Sequence, residues 1–121
     1  MKCEVEYTDE FNDWWNGLSE DEQEDVYASV SILEVWGTNL KFPHSTSITS
    51  SKHGNMRELR VQSSGKPLRV LYAFDPRRCA ILLIGDDKTG DKRWYDKFVP
   101  IADRLYDEHL LILEQENGKK I

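Results

Sequence analysis

With 121 residues, 39% of them hydrophobic, the chain is long enough for one modest core and too short for two. No apolar run approaches the roughly 20 residues that cross a bilayer, and the charged N-terminus lacks the apolar stretch of a secretory leader. A single soluble domain in the cytoplasm is therefore expected, with Cys3 and Cys79 reduced and no membrane partner.

The net charge of −6 is laid unevenly along the chain. Residues 1–40 hold eleven acidic side chains and one basic, Lys2, whereas residues 41–104 hold thirteen basic against seven acidic. A polarised molecule can offer a cationic face to an anionic ligand; the other reading is an acidic helical face that simply solvates well.

Taken in order, "KCEVEYT" alternates Cys3, Val5 and Tyr7 with charged residues, the period of two of a half-buried strand. "DEFNDWWNGL" spaces Phe11, Trp14, Trp15 and Leu18 as a short helix closing at Gly17. "SEDEQEDVYASVSILEVWG" opens with Ser19 and Glu22 in capping-box register and carries a core stripe of Val26, Val30, Leu33 and Trp36 or Leu40, with Gly37 as the stop. Residues Pro43–Asn55 are polar and punctuated and read as a mobile loop. "MRELRVQ", "PLRVLYAF" and "CAILLIG" then form a meander across "SSGK" and "DPRR", where Asp75 and Pro76 suit the first positions of a type I turn. Residues 92–118 read as helix, kinked or restarted at Pro100. The predicted class is α+β, in the order β-α-α-β-β-β-α, with helices against one face of a small antiparallel sheet.

Chemistry-bearing residues concentrate in the second half. Period two puts Glu58 and Arg60 on one face of their strand and Arg57 on the other, and Arg69 lies mid-strand in the next. A mid-strand charge must be paired or reach water. Arg69 is thus either half of a cross-strand pair with Glu58 or, with Arg60, a phosphate clamp whose planar fork matches phosphate oxygens. Lys88, Lys92 and Arg93 fall where the last strand meets the last helix. Trp94 behind them reads as a core anchor, while Tyr95 could stack on a base or move a proton, its pKa depressed by the cations. "GDDKTGDK" fails as a P-loop because Asp91 stands where lysine is required. His44, His53 and His109 are not at metal-ligand spacing, so no metal and no cofactor is expected. His53, beside Lys52 in "SKHGN", reads as a general base or a plain loop residue. His109 reads as a helix-surface or semi-buried residue, and Cys79 as inert.

The segments "NMRELR", "LRVLYAFDPRR", "AILLIGDDKTG", "RWY" and "PIADRLYDEHL" resemble the HigB-type branch of the RelE/ParE toxin superfamily, including phage Gp49-like proteins. The resemblance is close over about half the chain, and the N-terminal strand and helices match in order only. It implies a RelE-like fold and a type II toxin neutralised by a cognate helix-turn-helix antitoxin. It further implies mRNA cleavage at the ribosome by attack of the ribose 2′-OH, leaving a 2′,3′-cyclic phosphate. Arg69 matches a mid-strand catalytic arginine, and Arg93 and Tyr95 match the cation and tyrosine that open the last helix. Lys88 joins them as a catalytic candidate, and Arg60, Arg57, Lys52, His53 and Lys92 are expected to contact RNA. Glu58 stands where RelE has a lysine, as is usual in the HigB branch. The acidic N-terminal half is unlike the basic ribosome-binding relatives and suits a basic antitoxin segment. Competing expectations are a ParE-like inhibitor of DNA gyrase that cuts nothing, and a decayed phage protein that only binds a partner.

Overall fold

A computed structural model describes residues 2–118. Strand β1 (Val5–Tyr7) leads into helices α1 (Asp9–Asn16) and α2 (Glu20–Trp36). After a 3-10 turn at Gly37–Asn39 come β2 (Ser45–Ser47), β3 (Met56–Ser63), β4 (Lys66–Phe74), β5 (Ala80–Asp87) and α3 (Trp94–Gly118). The order along the single sheet is β1-β5-β4-β3-β2. The meander β3-β4-β5 is antiparallel, β2 adds antiparallel to β3, and β1 lies parallel to β5.

Local chemistry accounts for most boundaries. The Ser19 hydroxyl accepts from Glu22 N at 3.2 Å while the Glu22 carboxylate accepts from Ser19 N at 3.0 Å, the reciprocal cap that starts α2. Ser64 and Gly65, with φ of 49° and 80°, form the two-residue turn between β3 and β4; both central residues need positive φ there, which is why glycine is one of them. The next turn closes through Arg78 N to Asp75 O at 2.8 Å, and the buried Asp75 carboxylate holds it by accepting from Arg77 N and Cys79 N. Helix α3 runs through the exposed Pro100 as one element rather than restarting there.

Two sequence expectations are corrected. Helices cover both faces of the sheet, because β4 is buried on both: Leu68, Val70, Tyr72 and Phe74 pack with Phe11, Val26, Leu33 and Leu40 on the side of the α1–α2 helical hairpin, the hairpin side, while Leu71 and Ala73 pack with Trp94, Val99, Ala102 and Leu105 of α3. The continuous apolar run of β4 is the signature of a strand covered on both sides. The segment Pro43–Asn55 is not a free loop. It contains β2, and its far end is tied to α3 by Ser51 and the Lys52 amide on Asp103 and by His53 on Asp107.

A bulge changes which side chains β5 sends to each face. Leu71 pairs with Ile84 and Tyr72 with Leu82, so Leu83 is left unpaired in β5. Leu83 and Ile84 both pack toward α3, and the alternation restarts one residue out of step. Gly85 then faces α1, where an added Cβ would overlap the Trp14 ring, and Asp86 and Lys88 turn toward the α3 side.

Candidate active site at the open end of the sheet

The core contacts of α3 cover Met56, Leu71, Ala73, Ile81 and Leu83. Past the N-terminal end of α3 the same face continues along the ends of β3, β4 and β5. Here a charged cluster gathers on Glu58, which is 3% exposed in mid-β3. Its Oε1 accepts from Thr46 Oγ1 of β2 at 2.8 Å and lies 3.7 Å from the Arg60 guanidinium. Its Oε2 accepts from Tyr95 Oη at 2.7 Å and lies 4.0 Å from Arg69 Nε. The Lys88 ammonium stands 3.4 Å from Tyr95 Oη and 4.9 Å from the ring centroid. One carboxylate is thereby shared by two guanidinium groups and a phenol, with an ammonium one step away.

The positions follow from the fold. Arg60 and Arg69 are directly opposed across the β3-β4 ladder, so their parity puts both on the α3 face. Trp94 is fully buried, stacks on Phe98 with centroids 4.8 Å apart, and fixes the first turn of α3 so that Tyr95 reaches Glu58. Lys88 arrives through the bulge in β5. The acids of "GDDKTGDK" fold the turn: Asp87 accepts from the Thr89 amide and hydroxyl, and Asp91 accepts from Arg93 N and pairs with Lys97.

Arg69 is 6% exposed; among the described residues its side chain makes one hydrogen bond, NH1 to Leu68 O at 2.9 Å, and the buried Nε has no partner within hydrogen-bond distance. A guanidinium has five N–H donors. A buried arginine so sparsely bonded keeps donor capacity to spare, and of the two sequence readings the cross-strand pair with Glu58 is the one seen, at 4.0 Å.

Tyr95 departs from expectation. Burial, together with the hydrogen bond to Glu58 and that carboxylate's charge, pushes its pKa up to about 12, outweighing the nearby Arg69. It is a neutral donor at physiological pH, not an acidified phenol. Because its folded pKa lies above the ordinary value near 10, its contribution to stability is complete below pH 10 and is lost as pH rises through about 12. Thermal unfolding measured across that window should show the wild type losing stability more steeply than Tyr95→Phe; parallel curves would remove the Tyr95–Glu58 bond from the folded state.

The other candidates lie elsewhere. Arg93 has a side chain 81% exposed and sits near Asp96, pointing away one residue before Trp94, and Lys92 beside it is also exposed. Arg57 faces the hairpin side, bonded to Thr38 O and lying over the Phe74 ring. Lys52 and His53 both pair with Asp107, twelve residues along α3 from Tyr95 and so about 18 Å away at a helical rise of 1.5 Å per residue. His109 is bonded to Asp75 at 2.9 Å, which locks the β4-β5 turn to α3. Glu58, the centre of the cluster, enters the sequence reading as a partner for Arg69 and as the residue standing where RelE has a lysine, not as a site residue. The signal for its larger role is a carboxylate in mid-strand with the parity of Arg60.

Among the described residues Glu4, Glu6 and Cys79 lie close enough together to share a cation. They sit across the sheet's far edge from this cluster, Glu6 already pairs with Arg77 at 2.8 Å, and burial holds the Cys79 thiol protonated. No helix among the described residues is long and apolar enough to cross a membrane.

Comparison with known proteins places this arrangement in a family. The model described as phage derived protein Gp49-like (DUF891) matches residues 13–107. A Mycobacterium tuberculosis protein named as toxin HigB2 is 39% identical over 109 residues, covering 88% of this chain but 54% of that protein, so the chain spans about half its length. A second, named as toxin HigB3, is 44% identical over 106 residues, covering 87% of this chain and 90% of that one. Among solved structures, a mutant of the E. coli toxin RelE in the free state aligns with a TM-score of 0.58 over 78% of this chain and 92% of its own, at 8% identity, a likeness of fold.

Proposed function

Since the chain belongs to the Gp49-like family, in its HigB-type toxin branch, we propose that it is the toxin of a type II toxin–antitoxin pair and cleaves mRNA with its own side chains. The observation that carries this reading is the cluster of Arg60, Arg69, Lys88 and Tyr95 around Glu58. In the proposed step the ribose 2′-oxygen attacks the adjacent phosphorus, the bond to the 5′-oxygen breaks, and a 2′,3′-cyclic phosphate and a 5′-hydroxyl result. Glu58 takes the 2′-OH proton, directly or through Tyr95. Arg69 and Arg60 neutralise the charge that grows on the phosphoryl oxygens. Lys88, with Tyr95, returns a proton to the leaving 5′-oxygen.

The partners in this reading are mRNA, engaged at the ribosome, and a helix-turn-helix antitoxin. The hairpin side suits the antitoxin. It carries the acidic residues 1–40 and an apolar recess of about 330 Å³ lined by Tyr7, Phe11, Trp15, Tyr27 and Val30, to which a basic amphipathic segment is complementary.

The test is induction without antitoxin, followed by mapping of RNA ends in the arrested cells and in purified RNA with and without ribosomes. Transcripts cut to cyclic-phosphate 3′ ends are expected. Intact transcripts under growth arrest would overturn the nuclease, and DNA damage signalling would then point to gyrase.

A further inference from the structure

The cluster around Glu58 does not end at Arg60. The Arg60 guanidinium that approaches Glu58 also lies over the ring of Phe42, its carbon 5.4 Å from the centroid. Phe42 belongs to the lip between the 3-10 turn and β2, and the Arg60 amide, donating to His44 O at 2.8 Å, stitches that lip to β3. The ring is 71% exposed, the most exposed large hydrophobic side chain among the described residues. Beside it opens a cavity of about 360 Å³, lined among others by Lys41, Ser47 and Arg57. The arginine that parity excludes from the cleavage cluster therefore faces the same edge of the sheet.

A lone exposed aromatic is unremarkable on a protein surface. Here the ring lies against a guanidinium that also approaches the charged cluster, and the exposed residue lines one cavity together with two cations and a hydroxyl. A flat π-surface flanked by cations is what an unpaired nucleotide requires, stacking for the base and positive charge for its phosphate. We propose that Phe42 is the floor of a nucleobase subsite adjoining the cleavage centre, with Lys41 and Arg57 contacting the phosphate of the nucleotide stacked there. This inference rests on the RNA-cleaving reading and extends it, assigning a seat to a nucleotide that flanks the scissile bond.

The test uses a short 2′-O-methyl oligoribonucleotide, which lacks the attacking hydroxyl and stays uncut, together with versions carrying one abasic position moved along the strand. The wild type should bind the intact strand, and one abasic position should weaken binding about tenfold. Phe42→Ala should weaken binding of the intact strand by a similar factor and be indifferent to that abasic position, whereas Phe42→Trp should bind at least as tightly as the wild type. Equal affinity of wild type and Phe42→Ala overturns the subsite and leaves the RNA reading intact. Failure of the wild type to bind any of these strands, free or seated on the ribosome, overturns both.

Discussion

Arg69→Ala is expected to remain folded and to cleave RNA about 10²–10³-fold more slowly, the loss that follows removal of one preorganised donor to a developing oxyanion. The guanidinium makes one side-chain hydrogen bond to backbone and approaches Glu58 at 4.0 Å, and Glu58 keeps Arg60 and the Thr46 and Tyr95 hydroxyls when Arg69 is removed, so the variant gives up part of its stability and retains its fold. Arg69→Lys should recover only part of the rate, since an ammonium keeps the charge but not the planar fork. Single-turnover cleavage with circular dichroism of each variant checks this. A well-folded Arg69→Ala protein that cuts at the wild-type rate would strike Arg69 from the catalytic set.

The second large effect falls on Glu58. Glu58→Gln keeps the shape and an acceptor for the Tyr95 hydroxyl but cannot take a proton at physiological pH, and cleavage should drop by about 10²–10⁴-fold, the usual share of a general base. Glu58→Ala should differ in kind. It strands Arg60 and Arg69 without their common counter-charge and empties a buried site, and losing one partner of a buried ion pair costs about 3–5 kcal/mol. Urea unfolding alongside cleavage separates the two outcomes. A Glu58→Gln enzyme as fast as the wild type would leave Glu58 as an organiser of its neighbours and move the base elsewhere.

Much of the fold is written in local signals. Ser19 and Glu22 announce the start of α2, Val26 and Leu33 its buried stripe, and Asp75-Pro76 the turn that closes β4 onto β5. The choice between Trp36 and Leu40 is made only by tertiary packing: Leu40 is 4% exposed and Trp36 59%. Strand β2 escapes a sequence reading because three hydroxyl residues in a polar stretch carry no apolar alternation, and their pairing with β3 is a long-range event. In the site, parity on β3 and β4 makes Arg60 and Arg69 legible. Arg93 is not, because successive residues at the start of α3 point in different directions, so that Tyr95 turns inward while Arg93 faces water. The direction of the Tyr95 shift is hidden for a similar reason, since the sequence displays the lysines and arginines nearby and conceals the carboxylate that receives the hydroxyl.

The bulge at Leu83 has an evolutionary corollary. Strict alternation from Ile81 would send Lys88 to the side of α1 and α2, so with Leu83 present the ammonium owes its place to the bulge that absorbs that residue. Deletion of the Leu83 codon would leave Ile84 opposite Leu71 and Lys88 still in the cleft, whereas loss of a codon between Ile84 and Lys88 would turn Lys88 away and bring Thr89 in. The strand thus tolerates a deletion at the bulge and loses its ammonium to one made a few codons later.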